Sequence, residues 1–291
     1  MSQPTSPPTS RPEIAELQRR SKDVRLSILE MVDVAGSGHY GPAFSCVEVL
    51  VALYYNSLSV KPDSPDWPER DRFILSKGHA CTTLYAILAD LGFFDPDELS
   101  TFARLGSILG DHPDMKKIPG VDFSSGSLGH GLSVGAGMAE ALRYRKINSR
   151  VVVLVGDGEL NEGQNWEAIA YAAHRGLGQL LCIVDANDVS VDGNTSDVLN
   201  LEPMDAKWEA FGWDARRVDG HDYVQIRDAL RWYDSRREGP IPSVIVADTI
   251  AGYGIPFIEG MAEWHVGFLA GVDRQRAVDA IEDLFNYGGD R

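Results

Sequence analysis

The sequence lacks long apolar runs and has fewer basic than acidic residues. Its longest apolar stretches, residues 151–155 and 180–184, fall far short of the roughly 20 residues that a membrane-spanning helix needs, so we expect no membrane segment. Lys and Arg number 27 against 43 Asp and Glu, which gives a formal net charge of −16. Because nucleic acids are held mainly by Lys and Arg, this balance argues against a nucleic-acid partner.

Cysteine is also sparse, and its placement argues against two kinds of site. The three cysteines lie far apart among apolar neighbours and form no C-x-x-C pair: Cys46, Cys81 and Cys182. Zinc sites and redox pairs normally show closely spaced cysteines. We therefore expect buried, reduced thiols.

The first 12 residues are rich in Pro, Ser and Thr and contain no apolar stretch. Such a segment does not suit a secretory signal and is predicted to be a flexible tail, which makes the cytoplasm the expected location. Residues 13–291 are long and apolar enough to bury one large core. We expect them to form a single domain.

The hydrophobic pattern predicts alternating strands and helices. Helices are predicted at residues 12–34, 45–58, 82–91, 132–145, 165–175, 223–235 and 273–285, with one more beginning at Asp95. Strands are predicted at residues 73–75, 151–155, 180–185, 215–218 and 243–247. This alternation predicts an α/β fold, with a doubly wound, mostly parallel sheet and helices on both faces. Ligands in such sheets bind beyond the carboxyl ends of the strands.

Polar residues follow two of these predicted strands. The strand at 151–155 ends in Gly156-Asp157-Gly158, and the strand at 180–185 is followed by Asn187. The two glycines leave room for a bulky anion beside the backbone, while the Asp157 carboxylate takes a metal. One Asp, one Asn and a backbone carbonyl, completed by diphosphate oxygens, suit Mg²⁺.

The same loop has two other interpretations. G-D-G alone is equally compatible with a tight turn whose aspartate accepts backbone amides, although the Asn at the neighbouring strand end favours a metal. A dinucleotide-binding G-x-G-x-x-G would need glycine at the position of Asn161, and no G-x-x-x-x-G-K-[ST] loop occurs.

From about residue 20 to about residue 270, the sequence resembles the thiamine-diphosphate enzymes and, among them, the transketolases. The resemblance rests on G-D-G followed by Glu162-Gly163, and on the D-x-N-x-V-x-V-D-G stretch at residues 185–193. It implies thiamine diphosphate and Mg²⁺ as cofactors, and it places Glu162 in a carboxylate network at a subunit interface.

The resemblance also implies roles for individual residues around the G-D-G loop. The metal ligands that it implies are Asp157, Asn187 and the carbonyl of Val189. The cofactor contacts that it implies in the same region are Gly156, Asp157, Gly158, Glu159 and Asn187.

Four of the seven histidines lie in or beside glycine-containing loops: His39, His79, His112 and His265. Imidazole can donate a hydrogen bond to an anion or exchange a proton near neutral pH, although a lone histidine is more often structural. The contexts of all four resemble those of transketolase histidines, so we expect catalytic roles for them. The resemblance places His79 and His265 near the diphosphate and the reacting carbon, and implies that His39 and His112 bind sugar hydroxyls.

A glycine-rich loop at residues 124–131 precedes a helix of small residues. On its own, this pattern indicates close helix packing. It resembles the transketolase T-T-G-P-L-G-Q-G loop, which implies cofactor contacts from Gly126, Ser127 and Leu128. Ser127 stands where the family usually has Pro, and His130 where it usually has Gln.

Transketolases place the glutamate that activates thiamine in a second, pyrimidine-binding domain. We therefore expect this chain to be the N-terminal subunit of a two-subunit transketolase, paired in an α₂β₂ tetramer with a subunit that carries the pyrimidine-binding domain. The expected reaction transfers a two-carbon ketol unit from a ketose phosphate to an aldehyde acceptor.

Three alternatives stand beside this expectation. One is a specialised thiamine-dependent transfer to an unusual sugar or biosynthetic acceptor. A second is deoxyxylulose-phosphate synthase, which shares G-D-G but which the histidine contexts disfavour. The third is a non-catalytic scaffold subunit, which the presence of the implied metal ligands and all four histidines argues against.

Overall fold

The computed structural model describes residues 13–286, so the predicted tail at residues 1–12 lies outside the described residues. The main sheet has five parallel strands in the order β1-β2-β3-β7-β6. Its strands are β1 (Arg72–Leu75), β2 (Val151–Gly156), β3 (Leu180–Ala186), β6 (Asp214–Asp219) and β7 (Ser243–Asp248). A small antiparallel hairpin follows β3 and consists of β4 (Val189–Ser190) and β5 (Gly193–Asn194).

Helices connect the strands and cover the sheet. The α-helices are α1 (Ile14–Ala35), α2 (Tyr40–Ser45), α3 (Val47–Ala52), α4 (Cys81–Asp90), α5 (Gly131–Tyr144), α6 (Gly163–Arg175), α7 (Thr195–Val198), α8 (Met204–Ala210), α9 (Tyr223–Asp234) and α10 (Gly271–Asn286). Short 3₁₀ turns span Gly78–Ala80, Pro96–Thr101, Gly158–Asn161 and Ala262–Trp264, and a π turn spans Leu53–Ser57.

The strand side chains divide between two apolar cores because successive residues of a strand point to opposite faces. On β2, Val152 and Leu154 join the core formed with α1, α3, α4 and α9. Val151, Val153 and Val155 join the core formed with α5, α6 and α8. Helices on both faces of a parallel sheet confirm the predicted doubly wound α/β fold.

Most predicted elements occur within a few residues of their expected bounds, but two predictions were wrong in form. The helix predicted at 45–58 begins only at Val47, because the backbone at Cys46 leaves the helical region, with φ −97° and ψ 8°, and its last turn, Leu53–Ser57, is a π turn. The element after Asp95 is capped as expected, since the Asp95 carboxylate accepts the N–H of Asp97 at 3.0 Å. It is nevertheless only the 3₁₀ turn Pro96–Thr101, in which no residue is buried. Helices α2, α7 and α8 and the β4–β5 hairpin were not predicted.

The expected state of the cysteines is confirmed: Cys46, Cys81 and Cys182 are free and buried. Helices among residues 13–286 are all too short or too polar to cross a membrane.

Two glycines in α5 lie in opposite environments and provide a stability test. A Cβ on buried Gly135 would come within 2.5 Å of Val153 Cγ2 on β2, whereas a Cβ on exposed Gly137 would meet nothing within 4 Å. Gly135→Ala is expected to lower the free energy of unfolding by about 1–3 kcal/mol, because a stiff strand valine must move. Gly137→Ala is expected to raise it by about 0.5–1 kcal/mol. Urea denaturation measures both, and a Gly135→Ala variant as stable as wild type would contradict the close packing of α5 on β2.

Candidate functional site

The four predicted histidines come together in space. His79 lies in the turn after β1, His39 precedes α2, His265 follows the Ala262–Trp264 turn and His112 lies in the loop between α4 and α5. The ring centroid of His39 is 5.2 Å from that of His79, 5.7 Å from that of His265 and 6.5 Å from that of His112. His39 is therefore the central member of the cluster.

Backbone hydrogen bonds align two of the histidine loops. The N–H of Gly38 donates to the carbonyl of Gly267 at 3.0 Å, and the N–H of Gly267 donates back to the carbonyl of Gly38 at 2.9 Å. A Cβ on Gly267 would lie 2.8 Å from the Trp264 ring, so this close approach needs glycine. The pair places His39 and His265 beside each other although they are far apart in the sequence.

Burial keeps two of these imidazoles neutral. Burial lowers the pKa of His79 to about 2, and the charge of Lys77 and the other three imidazoles act in the same direction. Burial also lowers the pKa of His265 to about 4, with further contributions from His39 and Lys77. Near neutral pH, His79 and His265 can therefore donate or accept hydrogen bonds without carrying charge.

Asp157, the predicted metal ligand after β2, carries a buried carboxylate. Its Oδ1 accepts the N–H of Gly158 at 2.8 Å, and its Oδ2 accepts the N–H of Asp188 at 2.7 Å and the hydroxyl of Thr195 at 3.3 Å. Burial raises the pKa of Asp157 to about 7, and the nearby Asp185 carboxylate adds to the effect. A buried carboxylate whose partners are all neutral donors fits a site for a divalent cation.

Asn187, the second predicted ligand, has a fixed side-chain orientation. Its Nδ2 donates to Asp185 Oδ2 at 3.0 Å and to Ser45 Oγ at 3.2 Å, while its Oδ1 accepts the N–H of Val189 at 3.0 Å. The carbonyl oxygen thus lies on the side of Val189, the third predicted ligand, which is buried at the start of β4. The N–H of Asp157 also donates to the carbonyl of Asp185 at 3.2 Å, which brings the loops after β2 and β3 together.

A set of one carboxylate, one amide and one carbonyl is the kind of oxygen site that Mg²⁺ occupies with phosphate oxygens. Within residues 13–286, no group of three or more His, Cys, Asp or Glu side chains could hold a metal ion. The predicted site is compatible with this finding because it needs only a single carboxylate.

A buried ion pair behind the site had no predicted role. Lys77 Nζ contacts Asp185 Oδ2, and the two side chains are 2% and 0% exposed. Ser45 Oγ donates to the same oxygen at 2.6 Å, and Thr249 Oγ1 donates to Asp185 Oδ1 at 2.5 Å. Burial opposes the charge of both partners, yet their attraction raises the pKa of Lys77 and lowers that of Asp185. The available sequence signal was a lysine two residues after the end of a strand, at the edge where ligands bind.

Glu159, a predicted cofactor contact, connects three parts of the site. Its carboxylate accepts the hydroxyl of Ser76, the N–H of Gly129 at 2.8 Å and the N–H of Gly156 at 3.1 Å. Burial raises the pKa of Glu159, although these three donors partly oppose the effect. In the structure Glu159 holds the glycine-rich loop against the ends of β1 and β2, and its contact with a cofactor stays a prediction.

The glycine-rich loop lies beside the histidine cluster. A Cβ on Gly126 would be 3.8 Å from the nearest atoms, which belong to the ring of His112. Gly126 and Ser127 are exposed and Leu128 is partly buried, so a flat ligand could lie against this segment. The G-D-G glycines are also partly exposed, and a Cβ on Gly156 would meet nothing closer than 3.8 Å.

Glu162, the predicted interface residue, lies at the surface beside this loop. It is exposed, and a Cβ on Gly129 would lie 2.6 Å from its Cβ. Glu162 therefore packs against the glycine-rich loop at Gly129.

The arrangement has two chemical parts. Asp157 and Asn187 offer oxygen ligands beside glycine backbone, which suits a metal-bound diphosphate. The four imidazoles offer groups that can hydrogen-bond and exchange protons, and His79 follows Lys77, whose side chain contacts Asp185 beside the oxygen ligands. A small polar substrate at the histidines would thus lie next to an anionic cofactor group at the strand ends.

Comparison with known proteins agrees with this arrangement. Residues 17–279 match the family described as transketolase, thiamine diphosphate binding domain. The 6-deoxy-6-sulfo-D-fructose transketolase subunit SqwG of a Clostridium species is 40% identical over 86% of this chain and 90% of its own length. An apulose-4-phosphate transketolase subunit of Actinobacillus succinogenes is 39% identical over 92% of this chain and 96% of its own length.

Full-length transketolases match over a smaller share of their length. The crystal structure of Campylobacter jejuni transketolase superposes with a TM-score of 0.87 at 29% identity, over 95% of this chain and 43% of that protein. The family match and the near-complete coverage of relatives that are named as transketolase subunits agree with each other. The chain therefore belongs to the transketolase family, in which it corresponds to the thiamine diphosphate-binding subunit of a split enzyme.

Proposed function

We propose that this subunit holds thiamine diphosphate through Mg²⁺ and, with a partner subunit, transfers a two-carbon ketol unit from a ketose phosphate to an aldehyde. The proposal rests on buried Asp157 and the oriented amide of Asn187 at the strand ends, and on the cluster of four histidine rings, to which Lys77 connects them through its contact with Asp185. The family indicates thiamine diphosphate as the cofactor. The buried environment of the Asp157 carboxylate is the argument for the metal.

Each part of the site has a separate task in this proposal. Asp157, Asn187 and the Val189 carbonyl would hold Mg²⁺, with the diphosphate beside Gly156 and Gly158. Thiamine diphosphate, when bound, supplies the carbon chemistry. Gly126, Ser127 and Leu128 would flank its rings.

The histidines would act on the cofactor and the sugar. His79 and His265, both neutral, would hydrogen-bond near the diphosphate and the reacting carbon. His39 and His112 would bind the hydroxyls of the sugar. Proton exchange with those hydroxyls would then take place inside a cluster whose ring centroids lie 5.2–6.5 Å apart.

A partner subunit is part of the proposal. Relatives that are named as transketolase subunits match this chain over nearly their whole length, whereas full-length transketolases extend well beyond it. Four apolar side chains near His265 are exposed by 39–45%: Ile250, Met261, Val266 and Phe268. This rim would be covered by the subunit that carries the pyrimidine-binding domain, and we propose an α₂β₂ assembly, with exposed Glu162 at the subunit interface.

A specialised substrate is the second candidate. The two relatives named above are transketolase subunits for 6-deoxy-6-sulfo-D-fructose and apulose-4-phosphate, at 40% and 39% identity. A ketose that carries an unusual substituent would enter the same histidine cluster. Assaying the reconstituted pair against fructose 6-phosphate, 6-deoxy-6-sulfo-D-fructose and apulose-4-phosphate would rank these donors.

The dependence on a partner gives the first test of the proposed function. The purified chain is expected to show no ketol transfer, because the residues that complete thiamine activation would lie in the partner subunit. Co-expression with the partner should restore transfer to an aldehyde acceptor, measured by coupled detection of the product. Robust ketol transfer by the single chain would contradict the two-subunit proposal.

The metal site is tested by Asp157→Asn, which removes the charge and keeps the shape. Affinity for thiamine diphosphate in the presence of Mg²⁺ is expected to fall at least about 10-fold, because Asp157 is the only anionic protein ligand of the proposed site. Isothermal titration calorimetry of the reconstituted pair measures this affinity. Asp192→Asn, an exposed change on the nearby hairpin, is the matched control. Equal affinity in wild type and Asp157→Asn would place the metal elsewhere.

The raised pKa of Asp157 predicts a pH dependence of cofactor binding. With a pKa of about 7, most of this carboxyl is protonated at pH 6 and ionised at pH 8, and a metal must displace the proton. Affinity for the Mg²⁺ complex should therefore weaken about 10-fold from pH 8 to pH 6, after correction for titration of the free cofactor. Asn187→Ala should weaken cofactor binding at every pH, but the change of affinity between pH 8 and pH 6 should stay the same as in wild type. A flat profile between pH 6 and pH 8 would contradict the prediction.

A further inference from the structure

One carboxylate faces the histidine cluster and has no role in the function proposed above. Asp111 Oδ1 lies 3.6 Å from Nδ1 of His39, the central ring of the cluster. The interaction with His39 lowers the pKa of Asp111, and His112 contributes in the same direction. The half-exposed carboxylate therefore lies beside His39, one of the two imidazoles that are proposed to bind the sugar.

The backbone on which Asp111 lies is held in place by helix α4. The carbonyl of Gly110 accepts the hydroxyl of Tyr85 at 2.9 Å, and the carbonyl of Asp111 accepts the Cys81 thiol at 3.3 Å. Both donors come from the buried side of α4. The backbone that carries the Asp111 carboxylate is thus held by α4.

His39 needs a partner on the side that faces Asp111. Its Nδ1 is buried and has no hydrogen-bond partner among the residues that the structure describes. A buried ring nitrogen without a partner costs free energy, and the 3.6 Å separation is too long for a hydrogen bond. Such contacts often tighten when a substrate or partner closes the site. A movement of under about 1 Å would bring the two groups into hydrogen-bond range.

We propose that Asp111 is a positioning residue for His39, whose carboxylate holds the proton on Nδ1 and leaves Nε2 as the nitrogen that exchanges protons with substrate. The second part of this proposal rests on the proposed function. When Nε2 takes a proton from a sugar hydroxyl, the O–H bond breaks, its electron pair stays on oxygen and an N–H bond forms. The ionised Asp111 carboxylate then faces the positive ring.

The other imidazoles have different surroundings, which makes His39 distinct. His79 and His265 both experience the positive charge of Lys77 and are held neutral. Among the described residues, Asp111 is the carboxylate that contacts a ring of this cluster within 4.0 Å. The contact with Asp111 thus assigns proton exchange to His39.

The positioning role is tested by ¹⁵N NMR of the whole histidine-labelled chain, which distinguishes the two neutral tautomers of His39. Wild type should favour the tautomer with the proton on Nδ1, and Asp111→Ala should shift the ring toward the opposite tautomer. Asp111→Glu should restore the wild-type spectrum at least in part, because it keeps the carboxylate. Asp97→Ala, which removes an exposed carboxylate from the nearby 3₁₀ turn, is the control.

The catalytic consequence is tested with the reconstituted pair of subunits. Asp111→Ala should lower kcat about 10-fold to 100-fold, while the affinity for thiamine diphosphate stays within about twofold of wild type. Asp111→Glu should recover part of kcat, and Asp97→Ala should match wild type.

The outcomes separate this inference from the proposed function. An unchanged His39 tautomer in Asp111→Ala would overturn the positioning role, whatever the activity. A shifted tautomer with unchanged kcat would overturn the assignment of proton exchange to His39. If the wild-type pair transfers no ketol unit, the proposed function fails, and the tautomer measurement still decides the positioning role.

Discussion

The ion pair between Lys77 and Asp185 connects the parts of the protein from which the site is built. Lys77 follows β1, and Asp185 lies near the end of β3, with both side chains buried. Ionised groups are stable in such surroundings only when they are paired and fully hydrogen-bonded. Asp185 meets this condition with Lys77, Ser45, Asn187 and Thr249, which come from four separate segments. The loops after β1, β3 and β7 and helix α2 therefore all contact one buried group, the Asp185 carboxylate. The orientation of Asn187 and the placement of His79 both depend on it.

Three acidic residues lie near the strand ends, and the hydrogen-bond and ion-pair partners of each carboxylate bear on its role. Asp185 is paired with a lysine, whereas Glu159 and Asp157 each accept two backbone amides and one hydroxyl, and burial raises the pKa of both. Their side chains are chemically similar, and all three are buried. Glu159 holds the glycine-rich loop with its donors, whereas Asp157 accepts the N–H of Asp188, next to the oriented amide of Asn187, and this position favours Asp157 as the proposed metal ligand.

Some features were predictable because they depend on local pattern. Apolar strands with β-branched residues predicted β2 and β3 to within a residue, and the G-D-G loop followed from glycines at a strand end. The element at Asp95 shows where this reasoning fails. Its cap is correct, but whether a capped segment becomes a full helix depends on burial of an apolar face, and the 3₁₀ turn there has no buried residue. The break at Cys46 has no comparable signal in the sequence.

The sequence by itself determined the fold class, the G-D-G loop, the four histidines and the resemblance to transketolases, because these follow from short motifs and from alternation along the chain. Only the tertiary structure decided which of these groups meet. His39 and His265 become neighbours through hydrogen bonds between Gly38 and Gly267, and Lys77 finds Asp185 across the sheet. The contact of Asp111 with His39 also joins residues that are far apart in the chain. Such pairings join residues far apart in the chain, and their energies depend on distance and burial, which no local pattern specifies.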